Sequence, residues 1–410
     1  MHIRTYNVLR LLSREFDVTA LCFYRAADQA SPEEIQRSLK GLQHLAHVES
    51  FPIPQEHSKS RLILDHVRSL VTKRAYTVWA YESSDFRKRL KQLTETGQFQ
   101  LAHLDSLDLA GYLPLLAGLP VVCVHHNVES ALLRSRAATT GGLAGQYIAL
   151  QARLTEIEER RWCPSVSLNI AVSDADRHAF KRIAPSAPFV VIPNGVDTQT
   201  FQRTDASEEG IVFVGAYSWQ PNRDAMEYFC SEVLPLLRAR GIGSDVTWVG
   251  RAPDAVKRDY AERYGLRVTG YLHDIRPVVQ RAACYVVPLR AGGGTRLKIL
   301  DAWAMGKAVV STTVGSEGLD AHDGENILIR DTPEAFADAV AAVLTDEDLR
   351  RRLGRHARKT AELVYDWEVI GRSMLACYHQ LLGLAEDSPG GDDNRRPQQE
   401  SHARYVGNGN

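Results

Sequence analysis

Twelve short β-rich runs, many of them continuously apolar, alternate with amphipathic stretches of helical period and point to a parallel α/β fold. Six lie in the first half: DVTALCFY (17–24), HVESFPI (47–53), QLAHL (100–104), VVCVH (121–125), LNIAV (168–172) and FVVIP (189–193). Six more follow: IVFVG (211–215), VTWVG (246–250), RVTGY (267–271), CYVVP (284–288), AVVST (308–312) and ILIR (327–330). A strand with one wet face alternates apolar and polar residues. A strand apolar at nearly every position is covered on both faces, which is what parallel strands with helical crossovers achieve. Helices fit between the runs. Met226, Phe229, Val233, Leu236 and Leu237 keep helical spacing over 224–240, as do Phe336, Val340, Val343 and Leu344 over 333–345.

The runs fall into two sets, and 410 residues suffice for two domains with separate cores. The break comes at 194–210, a turn followed by a polar stretch of small residues that reads as a linker. The division expected is an N-terminal domain over 1–193 and a C-terminal domain over 194–365. A last amphipathic helix over 366–385 follows, carrying Trp367, Ile370, Met374, Tyr378 and Leu381, and is expected to pack back on the N-terminal domain. Residues 386–410 have almost no apolar content and read as a disordered tail. Each domain reads as doubly wound. One departure stands at the start: helix-like IRTYNVLRLLS (3–13) precedes the first strand, where a βα domain normally opens with a strand and a tight loop.

Charge and cysteine usage exclude several classes. Lysine plus arginine number 49 against 50 acidic residues, so no overall field attracts nucleic acid. No apolar run reaches the roughly 18 residues needed to span a bilayer, and Arg4 and Arg10 interrupt the opening stretch against a signal peptide. The six cysteines form no C-x-x-C pair, which argues against a zinc site or redox dithiol and for a reducing, cytoplasmic setting.

The segment that carries chemistry is VVPLRAGGGTRLKILDAWAMGKAVVSTTVGSEGL (286–319). Gly292, Gly293 and Gly294 let the backbone approach a ligand closely. Thr295 is placed to cap the helix that follows, whose first turn favours an anion. Arg296 and Lys298 add positive charge there. Asp301, six residues after Thr295, is a natural acceptor for a ribose diol, set against the plainer reading of a solvated helix aspartate. After the strand at 121–125, His125, His126 and Glu129 stand at the edge where open α/β sheets bind ligands. They supply too few ligands for a metal. His103 and Asp105 end the strand at 100–104, either facing an acceptor or capping the next helix.

GGGTRLKILDAWAMGKAVVSTTVGSEGL resembles the donor segment of glycosyltransferase family 4, the retaining enzymes of the GT-B fold, in its exopolysaccharide-type branch. VSDADRHAF (172–180), VIPNGVDTQTF (191–201), FVGAYSWQPNRDAMEYF (213–229) and HHNVES (125–130) resemble further landmarks in the family's order. The resemblance implies two Rossmann-like domains facing across a cleft, with the first N-terminal strand and its Gly-rich loop missing ahead of residue 3. Asp301 stands where the family's second glutamate of Glu-x7-Glu holds the ribose, and Gly293 where its first glutamate touches the sugar. That role then passes to backbone N–H groups around Gly293–Thr295. The family's Arg and Lys clamp on the phosphates is replaced by Asn222 and Arg223 beside Gly215, with Arg296 and Lys298 as the catalytic cations. Gly250, Arg251, Tyr271 and Leu272 match loops around the base. His126 matches the histidine near the reacting sugar.

The implied reaction moves a sugar from a nucleoside diphosphate to a saccharide or lipid-linked hydroxyl with retention, in polysaccharide or glycolipid synthesis. It needs neither metal nor cofactor and allows peripheral membrane contact. A nucleotide-sugar epimerase of the same architecture and a non-catalytic nucleotide-sugar binder are the alternatives. A dinucleotide dehydrogenase is disfavoured because no G-x-G-x-x-G follows a strand.

Overall fold

The computed structural model describes residues 3–25, 32–204, 208–242, 245–292 and 294–384. Gly293 and the tail at 386–410 lie outside the described residues. Each of the twelve apolar runs contains a strand. In the first half these are β1 (Thr19–Tyr24), β2 (His47–Pro52), β3 (Ala102–Leu104), β4 (Val121–His125), β5 (Leu168–Ala171) and β6 (Phe189–Val191). In the second they are β7 (Ile211–Val214), β8 (Val246–Val249), β9 (Arg267–Val268), β10 (Cys284–Val287), β11 (Val309–Ser311) and β12 (Leu328–Ile329). All pairings between these strands are parallel.

The second half forms one sheet in the order β12-β11-β10-β7-β8-β9, doubly wound about the β10/β7 seam. Its continuous apolar runs feed two cores. Cys284 and Val286 of β10, Ile211 and Phe213 of β7 and Trp248 of β8 face one side. Tyr285, Val287, Val212 and Val249 face the other.

The first half forms two sheets, β1-β2 and β3-β4-β5-β6. The edges of β1 and β3 do not pair. Between them runs a cavity of about 570 Å³, lined among others by Ala20 and Cys22 of β1, Ala102 and Leu104 of β3, Leu9 and Tyr378. The helix Ile3–Leu12 lies along it.

The helix expected over 224–240 is broken into Gln220–Tyr228, a wide π turn at Phe229–Val233, and Leu234–Arg238. Pro235 explains the break. It has no N–H to give to the preceding turn, so the chain widens just before it.

The last helix, Trp367–Leu382, leaves the C-terminal domain and buries Trp367, Ile370, Met374 and Tyr378 against Val8, Leu11, Val122, Val124 and Ile170 of the N-terminal domain. The stretch expected to be a linker is tied down where it enters the second domain. Val196 bridges to Asp366, Thr198 donates to the Asp366 carboxylate, and Arg358 donates to the Thr198 carbonyl at 3.0 Å. Gly371 lets the last helix approach the first, since a Cβ there would lie 2.5 Å from Leu11 Cδ2. Gly371→Val is therefore expected to cost about 1–3 kcal/mol through overpacking, read as a lowered denaturant midpoint at unchanged m-value.

Candidate functional site

The seam between β7 and β10 puts the loops that follow these two strands side by side, which is where doubly wound sheets hold ligands. Gly292, at φ +124°, sits in the second loop. A Cβ on it would meet the Arg296 guanidinium at 3.3 Å and Trp219 of the first loop at 3.4 Å. Gly294, at φ +79°, is so close to the opposite domain that a Cβ would lie 2.5 Å from Asn127 Oδ1. Gly318, also at positive φ, brings the Val314–Ser316 turn and the segment after it near Thr295 and Ser173. The two domains thus meet around one cleft, with the glycine loop as its floor.

Thr295 does not cap the helix Leu297–Ala304. Arg296 occupies the cap position, and no side chain caps the first turn. The Thr295 hydroxyl is instead buried without a hydrogen-bond partner among the described residues, which is costly unless a ligand satisfies it.

Arg296 is 4% exposed and directs its guanidinium at the Val314 carbonyl, 3.3–3.4 Å away, with Glu317 at 4.0 Å. Burial lowers its pKa. Lys298 donates to Asn222 Oδ1 at 2.8 Å and lies 4.5 Å from the Phe213 ring centroid. No carboxylate pairs with it among the described residues. Burial, with Arg296 as a second and smaller cause, lowers its pKa to about 7. Asp301, on the next turn of the same helix, is also held away from water. Burial alone raises its carboxyl to about 7, and no side-chain partner is present among the described residues. Asp301 is half-buried between Leu300 and Ala302 of the core, less exposed than a fully solvated helix aspartate. Two cations and a carboxylate thus follow the glycine loop on one segment, with no ion pair between them among the described residues.

The remaining residues divide into supports and open positions. Asn222 is buried and donates to the Ala216 carbonyl at 2.9 Å. Together with its bond from Lys298, this makes it a brace for the Gly215 loop. A Cβ at Gly215 would strike Asn222, and one at Gly250 would come 2.1 Å from the Gly215 carbonyl oxygen. Arg223 is exposed beside Tyr217. Arg251 stacks on Tyr271, 4.7 Å from its centroid, while Leu272 packs into the core below. An exposed aromatic and guanidinium pair suits the face of a base.

Across the cleft, His126 Nε2 lies 2.7 Å from the Asp105 carbonyl and 3.4 Å from its carboxylate. Burial opposes charge on this imidazole, but the Asp105 contacts outweigh it and its pKa is raised. Asp105 itself stays ionised. Burial works against its charge, and His103 and His126 hold its pKa well below the usual carboxylate range. The next helix is capped by Ser106, and the Asp105 carboxylate accepts from Thr5 on one oxygen while the other lies 3.8 Å from His103 Nε2 and 3.4 Å from His126 Nε2. His125 belongs to the core: its Nε2 is 2.8 Å from Asn169 Oδ1, its ring packs on Phe180, and burial lowers its pKa to about 4. Among the described residues no cluster of three His, Cys, Asp or Glu side chains is placed to hold a metal. Asn127, Ser173, Trp219 and Glu317 join the site through the fold alone.

Only the C-terminal domain is doubly wound, since the N-terminal strands run in sequential order in two separate parallel sheets. Two parallel α/β domains that meet around the glycine loop, tied by a last helix that crosses back, are the features of the GT-B class. Similar architectures include Anabaena HepE in complex with UDP, with a TM-score of 0.64 at 14% identity over 92% of this chain and 96% of that one. Sucrose-phosphate synthase from Thermosynechococcus elongatus gives 0.60 at 17% identity over 90% and 100%. The family model described as Glycosyltransferase Family 4 matches residues 3–200, and that described as Glycosyl transferases group 1 matches 208–346. The chain belongs to the family 4-type glycosyltransferases.

Among curated relatives, a GDP-mannose:cellobiosyl-diphosphopolyprenol alpha-mannosyltransferase of Xanthomonas oryzae is 26% identical over 52% of this chain and 59% of its own length. A D-inositol 3-phosphate glycosyltransferase of Corynebacterium urealyticum is 30% identical over 27% of this chain and 26% of its own length. The matches thus span about a quarter and somewhat over half of these relatives.

Proposed function

We propose that the protein transfers a sugar from a nucleoside-diphosphate sugar to a hydroxyl acceptor, with retention of anomeric configuration, in polysaccharide or glycolipid synthesis. The observation that supports this reading is that the helix Leu297–Ala304, which follows the glycine loop, carries Lys298 and Asp301 without an ionic partner for either among the described residues. A diphosphate supplies Lys298 with the anion it lacks, with Arg296 a second cation beside it, a ribose diol satisfies Asp301, and a base fits against Arg251 and Tyr271. HepE, of the same fold, has been seen with UDP and with UDP-glucose, which supports a donor of this class.

In this reading Lys298, Arg296 and backbone N–H groups of the glycine loop stabilise charge that builds on the departing diphosphate. The hydroxyl of Thr295 donates to the same phosphates. His126, steadied by Asp105, faces the sugar from the other domain, and the closed cleft holds donor and acceptor together. No residue need serve as a dedicated base if the leaving phosphate takes the acceptor proton.

The test is calorimetric binding of UDP- and GDP-sugars, followed by NMR of the product's anomeric centre. The pH dependence is specific. In the empty protein Lys298 loses its proton above about pH 7, whereas a diphosphate needs it charged, so affinity falls as pH rises through that value. Asp301 gains a proton below about pH 7, whereas the ribose hydroxyls need it ionised, so affinity also falls as pH drops. Affinity for a sugar nucleotide is expected to peak near neutrality. Lys298→Met should flatten the alkaline limb and Asp301→Asn the acid limb. A flat profile in the unsubstituted protein contradicts the assignment.

A further inference from the structure

The helix Lys59–Thr72 is inside out. Its polar residues face the protein: Asp65 and Ser69 are fully buried, while Ile63, Val67, Leu70 and Val71 are 65%, 48%, 49% and 77% exposed. At helical spacing these four residues and Leu64 form one continuous apolar stripe, and it points to solvent. The inward face is fully used. Asp65 accepts from Arg61 at 2.8 Å and lies 3.4 Å from Arg68. Ser69 donates to the Arg74 carbonyl and accepts from Gln151 at 2.8 Å, and His66 hydrogen-bonds Tyr147 at 2.6 Å while stacking on Tyr76. The orientation is therefore fixed by bonds to other elements: a helix rolled by half a turn would keep the Asp65 pairs, which lie within it, and lose those of Ser69 to Gln151 and of His66 to Tyr147. Leu143 and Leu150, exposed at 83% and 39% one turn before and one turn after Tyr147, extend the apolar surface onto the neighbouring helix.

We propose that this face docks on an anionic lipid bilayer. Charge favours that occupant. Over residues 58–74 the sequence SKSRLILDHVRSLVTKR carries five cations, of which Arg61 and Arg68 pair with the buried Asp65 and Arg74 pairs with Glu158, leaving Lys59 and Lys73 without an ion pair among the described residues. Lys59 and Lys73 are exposed at the two ends of the stripe. The stripe is aliphatic, without the Trp, Tyr or Arg anchors that dominate protein interfaces, and apolar residues rimmed by lysine suit insertion to the depth of the headgroups. No helix among the described residues is long and apolar enough to cross a membrane, so contact through this face is interfacial. The helix continues through Lys73–Ala75 into Tyr76–Ala80, and Ala75, Thr77 and Val78 line a small cavity with His126, Asp108 and Glu129. Docking thus brings the acceptor side of the cleft to the surface. This last step rests on the proposed function, whereas the docking itself does not.

Sedimentation of the full chain with vesicles tests it, using phosphatidylcholine alone or with about one third phosphatidylglycerol, at low and at 0.5 M salt. Binding is expected on the anionic vesicles, at least about tenfold weaker on neutral ones and weakened by salt. Ile63→Asp combined with Val71→Asp should lower it by at least about tenfold, with sugar-nucleotide binding and Tm unchanged, since both side chains already face water. Lys59→Glu with Lys73→Glu should weaken binding to anionic vesicles only. Equal sedimentation of the aspartate double variant overturns the proposal, as does a concentration-dependent dimer in ultracentrifugation that the same variant disperses. Loss of nucleotide binding in the unsubstituted chain would count against the proposed function and leave vesicle binding intact.

Discussion

Lys298→Met is expected to lower kcat by about 10²–10³-fold, the cost typical of removing one preorganised donor from a site where negative charge develops. The argument is electrostatic and local. Lys298 sits beside Asn222 and over Phe213, with Arg296 as a second cation on the same helix start. Burial strips its ammonium of water, which strengthens any later interaction with phosphate. Methionine keeps most of the aliphatic stem and leaves Asn222 bonded to Ala216, so the Gly215 loop keeps its brace.

The stability readout moves the other way. A lysine whose folded pKa lies below its unfolded value opposes folding, fully below about pH 7 and progressively less as pH rises toward its ordinary range, where the unfolded chain holds a proton that the folded chain has released. The methionine variant of the empty protein is therefore expected to have an unchanged or higher Tm at pH 7–8. A structural lysine would show the reverse: a lower Tm with kcat intact. That outcome would remove Lys298 from the donor site and take the main support from the proposed function.

What the sequence shows of this fold follows from which interactions are local. The central strands are legible because each must be apolar on both faces, and that requirement is written in consecutive residues such as Cys284–Val287. Lys298 and Asp301 are legible as candidates because their spacing on one helix is fixed by its period. Contacts that depend on how the domains meet are not. Nothing local places Asn127 beneath Gly294 or Ser173 beside Gly318. Thr295 illustrates a local rule that loses. A threonine before an apolar helix reads as a cap, yet the helix begins one residue later and leaves its hydroxyl buried without a partner among the described residues. The helix Lys59–Thr72 shows a deeper limit. Its apolar stripe has the same period whether it faces the core or the solvent. Only the long-range partners of Ser69 and His66 reveal which way it points.

The largest gain in stability is expected from filling the slot between β1 and β3. An extension carrying about five apolar β-formers and a short Gly-rich turn, joined ahead of the helix Ile3–Leu12, would enter as a parallel strand by a right-handed crossover. It would offer hydrogen bonds to both unpaired edges and merge the β1-β2 and β3-β4-β5-β6 sheets into one. Each fully buried apolar side chain contributes about 1.5–3 kcal/mol, against about 1–2 kcal/mol for ordering each backbone residue. The favourable term gains further from the existing lining, since Ala20, Cys22, Leu9 and Leu104 already border the slot and would lose a void of about 570 Å³. A Tm rise of about 5–10 °C is expected, together with new protection of β1 and β3 amides from hydrogen exchange. Proline at the centre of the same extension removes a ladder donor and should abolish both effects. If the apolar and proline-containing extensions leave Tm and exchange alike, the slot does not accept a strand, and the two N-terminal sheets are separate units of the fold.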